Sequence, residues 1–161
     1  MIKYFYSCFL LTIPILAWNL LLTNKLPTAF QPEIFRDHIP IYVMYGENIF
    51  RTLVFLLTFL MPLSFRSDIQ KKCVFLYAAG TLIYFTSWII LIYYPHGEWS
   101  NSLVGFLSPS LTPLLWLTGI WLIGEEFFIN LPFKRWIFLI VSICFLLFHN
   151  LHTFIVYTRL H

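Results

Sequence analysis

Five long apolar runs take up most of this chain and leave little else to form a fold. They cover residues 4–22, 40–65, 73–94, 111–129 and 136–157. Each run is close to the ~20 residues that a helix needs to cross the ~30 Å hydrocarbon core of a bilayer. Only 11% of the residues are charged, whereas soluble domains contain about 25%. The sequence therefore predicts an all-α integral membrane bundle of five transmembrane helices, organised as a single domain over residues 1–161.

The basic residues in the connections are unevenly divided between the two sides of this bundle. Five crossings place the N-terminus and the second and fourth connections on one side. That side has Lys3, Arg66, Lys71, Lys72, Lys134 and Arg135. The opposite side has Lys25, Arg36 and Arg159. Because short connections rich in Lys and Arg stay in the cytoplasm, we expect a multi-pass protein of the cell (inner) membrane with its N-terminus inside and its C-terminus outside.

Composition and motifs exclude several classes of function. The net charge of +3 is spread along the chain, so no basic stripe for nucleic acid is present. Cys8, Cys73 and Cys144 lack the C-x-x-C spacing of a redox or zinc site. No phosphate-binding glycine loop, nucleophile elbow or H-E-x-x-H sequence occurs. We therefore predict no metal and no other cofactor.

The second run contains charged residues that cannot leave the membrane. Its uninterrupted apolar part, residues 53–63, spans only about 16 Å as a helix and cannot cross the core. The helix must therefore begin near Pro40, which places Glu47 and Arg51 about 10 and 16 Å below its outer end. These two residues are four apart and share a helix face, so they can pair. Asn48 lies between them in sequence.

The fifth run contains a second polar group in its outer half. His149 and His152 share a helix face, with Asn150 between them. Asn19, near the outer end of the first run, lies at a similar depth. Ionisable residues inside a membrane are costly and are candidate functional residues by default. A structural alternative remains open, in which Glu47 and Arg51 form a buried ion pair that sets helix register.

The common depth of these seven residues suggests a polar pocket that opens to the outer side. Its candidate ligand-binding residues are Asn19, Glu47, Asn48, Arg51, His149, Asn150 and His152. We expect Arg51 to recognise an anionic group, Glu47 to orient Arg51, and His149 to hydrogen-bond or transfer protons. The external connection with His96 and Glu98 is expected to cover the pocket. A second external segment, residues 31–38, is expected to form a short interfacial helix that starts at Pro32.

Three functions follow from this pocket. The first is binding of a lipid-like or amphiphilic small molecule, with membrane lipids as natural partners. The second is an integral-membrane enzyme that acts on a lipid through the same residues. The third is a structural or assembly subunit, in which the polar groups join helices of a homo-oligomer or of a partner membrane subunit. No nucleic-acid partner is expected.

Two features of the sequence resemble those of known families. Glu125-Glu126, followed by F-x-x-x-H from Phe145 to His149, resembles a motif of CAAX-type intramembrane proteases, in which glutamate and histidines act together on water. Asn130 stands where that family has arginine, and His149 lies about 20 Å along its helix from the end near Glu126. We therefore reject this assignment and predict that Glu125-Glu126 forms a solvated surface pair. The length and tryptophan content resemble the tryptophan-rich sensory proteins in architecture alone.

Overall fold

The computed structural model describes residues 6–124, 127–128 and 136–161, and the regular secondary structure of these residues is helical. Its α-helices are α1 (Ile13–Leu22), α2 (Pro32–Phe35), α3 (Ile41–Leu60), α4 (Asp68–Tyr93), α5 (Glu98–Asn101), α6 (Leu103–Leu111), α7 (Pro113–Ile123) and α8 (Trp136–Leu160). Five stretches are long and apolar enough to cross a membrane: Cys8–Lys25, Ile41–Leu60, Asp68–Tyr93, Leu103–Ile123 and Trp136–Leu160. The prediction of an all-α chain with five such helices is confirmed.

The connection between α3 and α4 is extended, and local chemistry explains both of its ends. α3 stops at Leu60, five residues before the apolar run ends, because Pro62 disfavours helical geometry at Met61. The freed carbonyl of Met61 accepts a hydrogen bond from the Cys8 amide at 2.8 Å. α4 begins at Asp68, earlier than its apolar run, because Ser67 and Gln70 form a capping box.

The fourth span differs most from its predicted position. It starts at Leu103, eight residues before the expected position, and is divided between α6 and α7 at Thr112. Pro113 has no amide hydrogen and its ring crowds the carbonyl four residues earlier, which interrupts the helix at Thr112. Pro113 instead takes the first position of α7, where its missing donor costs nothing. The expected end at residue 129 and the pair Glu125-Glu126 lie outside the described residues.

The helices alternate in direction, and contacts between connections define the two ends of the bundle. We refer to them by the connections found there, as the 61–67 end and the 23–39 end. At the 61–67 end, the Gln70 side chain donates a hydrogen bond to the carbonyl of Ile123 at 3.1 Å. At the 23–39 end, Arg159 of α8 donates hydrogen bonds to the carbonyls of Ile34 and Asp37.

Close packing of α4 against α7 depends on two glycines. A Cβ atom on Gly119 would lie 2.8 Å from the Cα atom of Tyr77, and one on Gly80 would lie 2.7 Å from the backbone nitrogen of Trp116. The two helices therefore meet backbone to backbone, as small residues allow in membrane bundles. This contact sets the position of Trp116 in α7 and of Tyr84, which lies about one turn beyond Gly80 in α4.

Candidate functional site

The buried carboxylate of Glu47 lies at the centre of a group of polar side chains. Only 3% of Glu47 is exposed. Its Oε1 atom accepts hydrogen bonds from Arg51, one turn along α3, and from Nδ1 of His149 at 3.0 Å. Its Oε2 atom contacts Nδ1 of His152. We call these four residues the Glu47 cluster. The predicted pairing on α3 is present, and α8 supplies both histidines to the same carboxylate.

His152 joins this cluster to the connection that lies over it. Its Nε2 atom lies 2.9 Å from the backbone carbonyl oxygen of Phe35, and the Phe35 ring stacks on the imidazole with centroids 4.3 Å apart. A backbone carbonyl can only accept, so Nε2 must carry a hydrogen. One further proton lies between Nδ1 and Glu47, either on the imidazole or on the carboxyl. In both cases the Glu47–His152 pair has a total charge of zero.

The remaining members give the cluster a net positive charge. Arg51 is always protonated and adds +1. His149 donates from Nδ1 to Glu47, which leaves Nε2 as a free acceptor when the ring is neutral. The His149 ring stacks on Phe145 with centroids 5.3 Å apart, and the Arg51 guanidinium lies 5.9 Å from the same ring. With His149 neutral, the cluster therefore has a charge of +1.

A cavity of about 470 Å³ lies beside the cluster, between α1, α3, α4, α7 and α8. We call it the Arg51 cavity. Its polar lining residues are Asn19, Thr23, Arg36, Arg51, Tyr84 and His149. No Asp or Glu lines it among the residues that the structure describes. Its other walls are aliphatic, aromatic or proline side chains. Most of the cavity surface is therefore apolar, and Arg36 and Arg51 supply its positive charge.

The indole of Trp116 provides a buried donor at the wall of this cavity. Trp116 is 5% exposed and lines the cavity from α7. Its Nε1 hydrogen has no acceptor in the described part of the chain. Buried donors in proteins are nearly always paired.

The asparagines among the predicted site residues have three different positions. Asn19 lines the Arg51 cavity, and its Oδ1 atom accepts a hydrogen bond of 2.6 Å from Tyr84. Asn48 is exposed, outside the cavity lining. Asn150 points towards α6, where Oδ1 accepts a hydrogen bond of 3.0 Å from Ser110. The sequence predicted a similar depth for these three asparagines, but of the three only Asn19 lines the cavity.

The connection that covers the site is the one between α1 and α3, rather than the expected one that contains His96 and Glu98. Residues 23–39 include α2, and the carbonyls at and after its end accept hydrogen bonds from His152 and Arg159. Cations commonly stabilise the carbonyl end of a helix in this way. The predicted short helix starting at Pro32 is therefore part of the site. His96 instead lines a smaller pocket with His161, and Glu98 begins α5.

Four contributors to the site were missed from the sequence. Arg36, Tyr84 and Trp116 line the cavity, and Phe35 supplies a carbonyl and a ring to His152. In the sequence, Arg36 is a charged residue of a connection, and its position there indicated orientation rather than a binding site. Tyr84 and Trp116 lie in apolar runs, where aromatic residues are common, so no signal in the sequence marked them.

Among the described residues, no group of three His, Cys, Asp or Glu side chains is arranged to hold a metal ion. The two imidazoles hydrogen-bond Glu47 directly. No protein-family model, curated protein or solved structure matches this chain.

Proposed function

We propose that this chain is a multi-pass protein of the cell (inner) membrane, with its N-terminus inside and the 23–39 end of the bundle outside. Five apolar helices of sufficient length support the membrane assignment. The surplus of Lys and Arg in the connections at the opposite end supports the orientation. A reporter fused after His161 would be accessible from outside the cell. A cytoplasmic signal from that reporter would reverse the orientation.

We infer that the Arg51 cavity binds a small amphiphilic molecule with an anionic head group. The observation that carries this proposal is an excess of positive charge around the cavity. The Glu47 cluster contributes +1, and Arg36, which has no ion pair among the described residues, contributes a second positive charge to the cavity. An uncompensated charge inside an apolar bundle is unfavourable. An anion in the cavity would neutralise it.

The apolar walls fit the tail of such a ligand. Val54 and Phe55 lie about one turn beyond Arg51 on α3, and Phe145 lies one turn from His149 on α8, both towards the middle of the bundle. Ile15 is at the corresponding level on α1. The head group would therefore lie at Arg51 and Arg36, with the tail directed away from the 23–39 end. The cavity volume is within the range of about 300–1,000 Å³ usual for small-molecule sites.

The binding test uses a pair of probes with the same tail and opposite charges. The protein, in nanodiscs of zwitterionic phosphatidylcholine, is titrated with 1-decanesulfonate and with decyltrimethylammonium. We expect saturable binding of the sulfonate only. Arg51→Gln should weaken it by about 10- to 100-fold, because a hydrogen bond to a charged group contributes about 1.5–3 kcal/mol.

Two surface variants make the test independent of folding. Arg36→Gln changes an exposed residue with no contact to the Glu47 cluster, and it should weaken sulfonate binding several-fold. Lys25→Gln removes the same charge from the same connection but away from the cavity lining, and it should leave binding unchanged. Equal binding of both probes, or equal effects of both surface variants, would contradict the proposal.

A further inference from the structure

We propose that the anion binds together with one proton, which is taken up by Nε2 of His149. This inference rests on the proposed function, because it describes how the same cavity adjusts its charge to an anionic ligand. The proton comes from solvent, and the only bond formed is N–H. His149 would then act as a positioning and charge-matching group, whose cationic form donates a hydrogen bond to the head group.

His149 is the one member of the Glu47 cluster with an unused proton site next to the cavity. Both nitrogens of His152 are engaged, one with Glu47 and one with the Phe35 carbonyl. The Glu47 carboxylate is already in hydrogen-bond contact with three side chains. His149 uses Nδ1 for Glu47, and the described residues provide no partner for its Nε2 atom. The side chain is 22% exposed and lines the cavity.

Charged groups from several elements of the bundle face His149. From α3 it faces Glu47 and Arg51, and from the 23–39 connection it faces Arg36 across the cavity. On its own helix, His152 shares Glu47 with it. The groups from α1, α4 and α7 are neutral: Asn19, Tyr84 and Trp116. The single carboxylate is already balanced by His152, so a proton on His149 would raise the cluster from +1 to +2.

A bound anion reverses this balance. A monoanion at Arg51 would cancel the cluster charge of +1, and a proton on His149 would then add a charge-assisted hydrogen bond to the anion. Imidazole normally changes charge between about pH 5 and 8. If binding takes up one proton, thermodynamic linkage requires the affinity for the anion to rise as pH falls. The rise is at most about tenfold per pH unit. A surface site for the same anion would show no such dependence.

Isothermal titration calorimetry with 1-decanesulfonate measures the coupled proton directly, because a sulfonate does not itself titrate near neutral pH. The nanodisc protein is titrated at pH 7 in bis-Tris and in Tris, two amine buffers without a sulfonate group that differ in ionisation enthalpy. We expect different heats in the two buffers, corresponding to uptake of a fraction of a proton up to one per sulfonate. In ¹⁵N spectra of the intact protein, His149 should change from the Nδ1–H tautomer to imidazolium on binding.

A pair of histidine variants assigns the proton. His149→Asn keeps a donor for Glu47 but cannot titrate, and it should lose the buffer dependence and bind more weakly. His38→Asn changes an exposed histidine of the same end, at a positive φ that asparagine tolerates, and it should retain the proton uptake. The ¹⁵N measurement keeps the test valid if the His149 variant fails to fold.

The possible results separate the two proposals. No binding heat in either buffer, together with no shift at His149, would remove the anion site itself. Saturable binding with the same heat in both buffers would leave the anion site intact and overturn the proton coupling. Proton uptake that persists in His149→Asn would also overturn the assignment, because another group would then carry the proton.

Discussion

The two ends of the bundle are built by different physical rules. At the 61–67 end, the core is apolar and closely packed, and Cys8, Met61, Ile120, Ile123 and Phe138 are all 0% exposed. At the 23–39 end, the buried side chains of Glu47 and His152 lie beside a cavity of about 470 Å³ that Arg51, Arg36 and His149 line. Apolar side chains pack in many arrangements, whereas hydrogen bonds require particular partners. The 23–39 end therefore contains a cavity beside polar groups in defined positions, whereas the 61–67 end is filled by apolar side chains.

Removing the central carboxylate should have the largest effect, because it damages both stability and the anion site. In Glu47→Ala, three side chains lose their hydrogen-bond partner, and the buried contact between Glu47 and His152 is removed. Breaking a buried charge pair in this way typically costs about 3–5 kcal/mol. Thermal unfolding in mild detergent measures the loss. Glu47→Gln, which keeps one acceptor oxygen and the volume, should lose less. An alanine variant as stable as the parent would mean that the cluster does not hold the 23–39 end together.

A cavity made at the opposite end should separate stability from binding. Phe138→Ala removes a fully buried ring, and such changes cost about 3–5 kcal/mol in well-packed cores, less where the site can collapse. The affinity for 1-decanesulfonate, measured at a temperature where the variant is folded, should remain that of the parent. A parallel loss of affinity would show that the two ends are not independent.

The smallest effects should distinguish two asparagines that look alike in the sequence. Asn48→Ala changes an exposed side chain and should alter stability by less than about 0.5 kcal/mol. Asn150→Ala removes the partner of Ser110 on α6 and should cost about 1 kcal/mol. Both can be measured in the same unfolding assay. Equal losses would mean that the hydrogen bond to Ser110 contributes nothing to holding α8 against α6.

Part of the site could be predicted because it depends on spacing within one helix. Glu47 and Arg51 are four residues apart, and so are Phe145 and His149, and helical geometry makes neighbours of each pair. The prediction that Glu47 lies within α3, rather than before it, followed from the length that a helix needs to cross a bilayer. The break between α6 and α7 was harder to predict, since the apolar pattern around Pro113 continues on both sides of it.

By itself, the sequence determined five apolar helices, because their length and lack of charge are typical of segments that cross a bilayer. It also determined that charged groups would be buried on the second and fifth helices. The tertiary structure decided which of these groups meet. Rotation of each helix about its axis is set by side-chain fit, such as Gly46 against the Phe148 ring, and by backbone contacts at Gly80 and Gly119. These contacts join residues far apart in the chain, so no local pattern could place Arg36 and Trp116 at the cavity or Asn48 away from it.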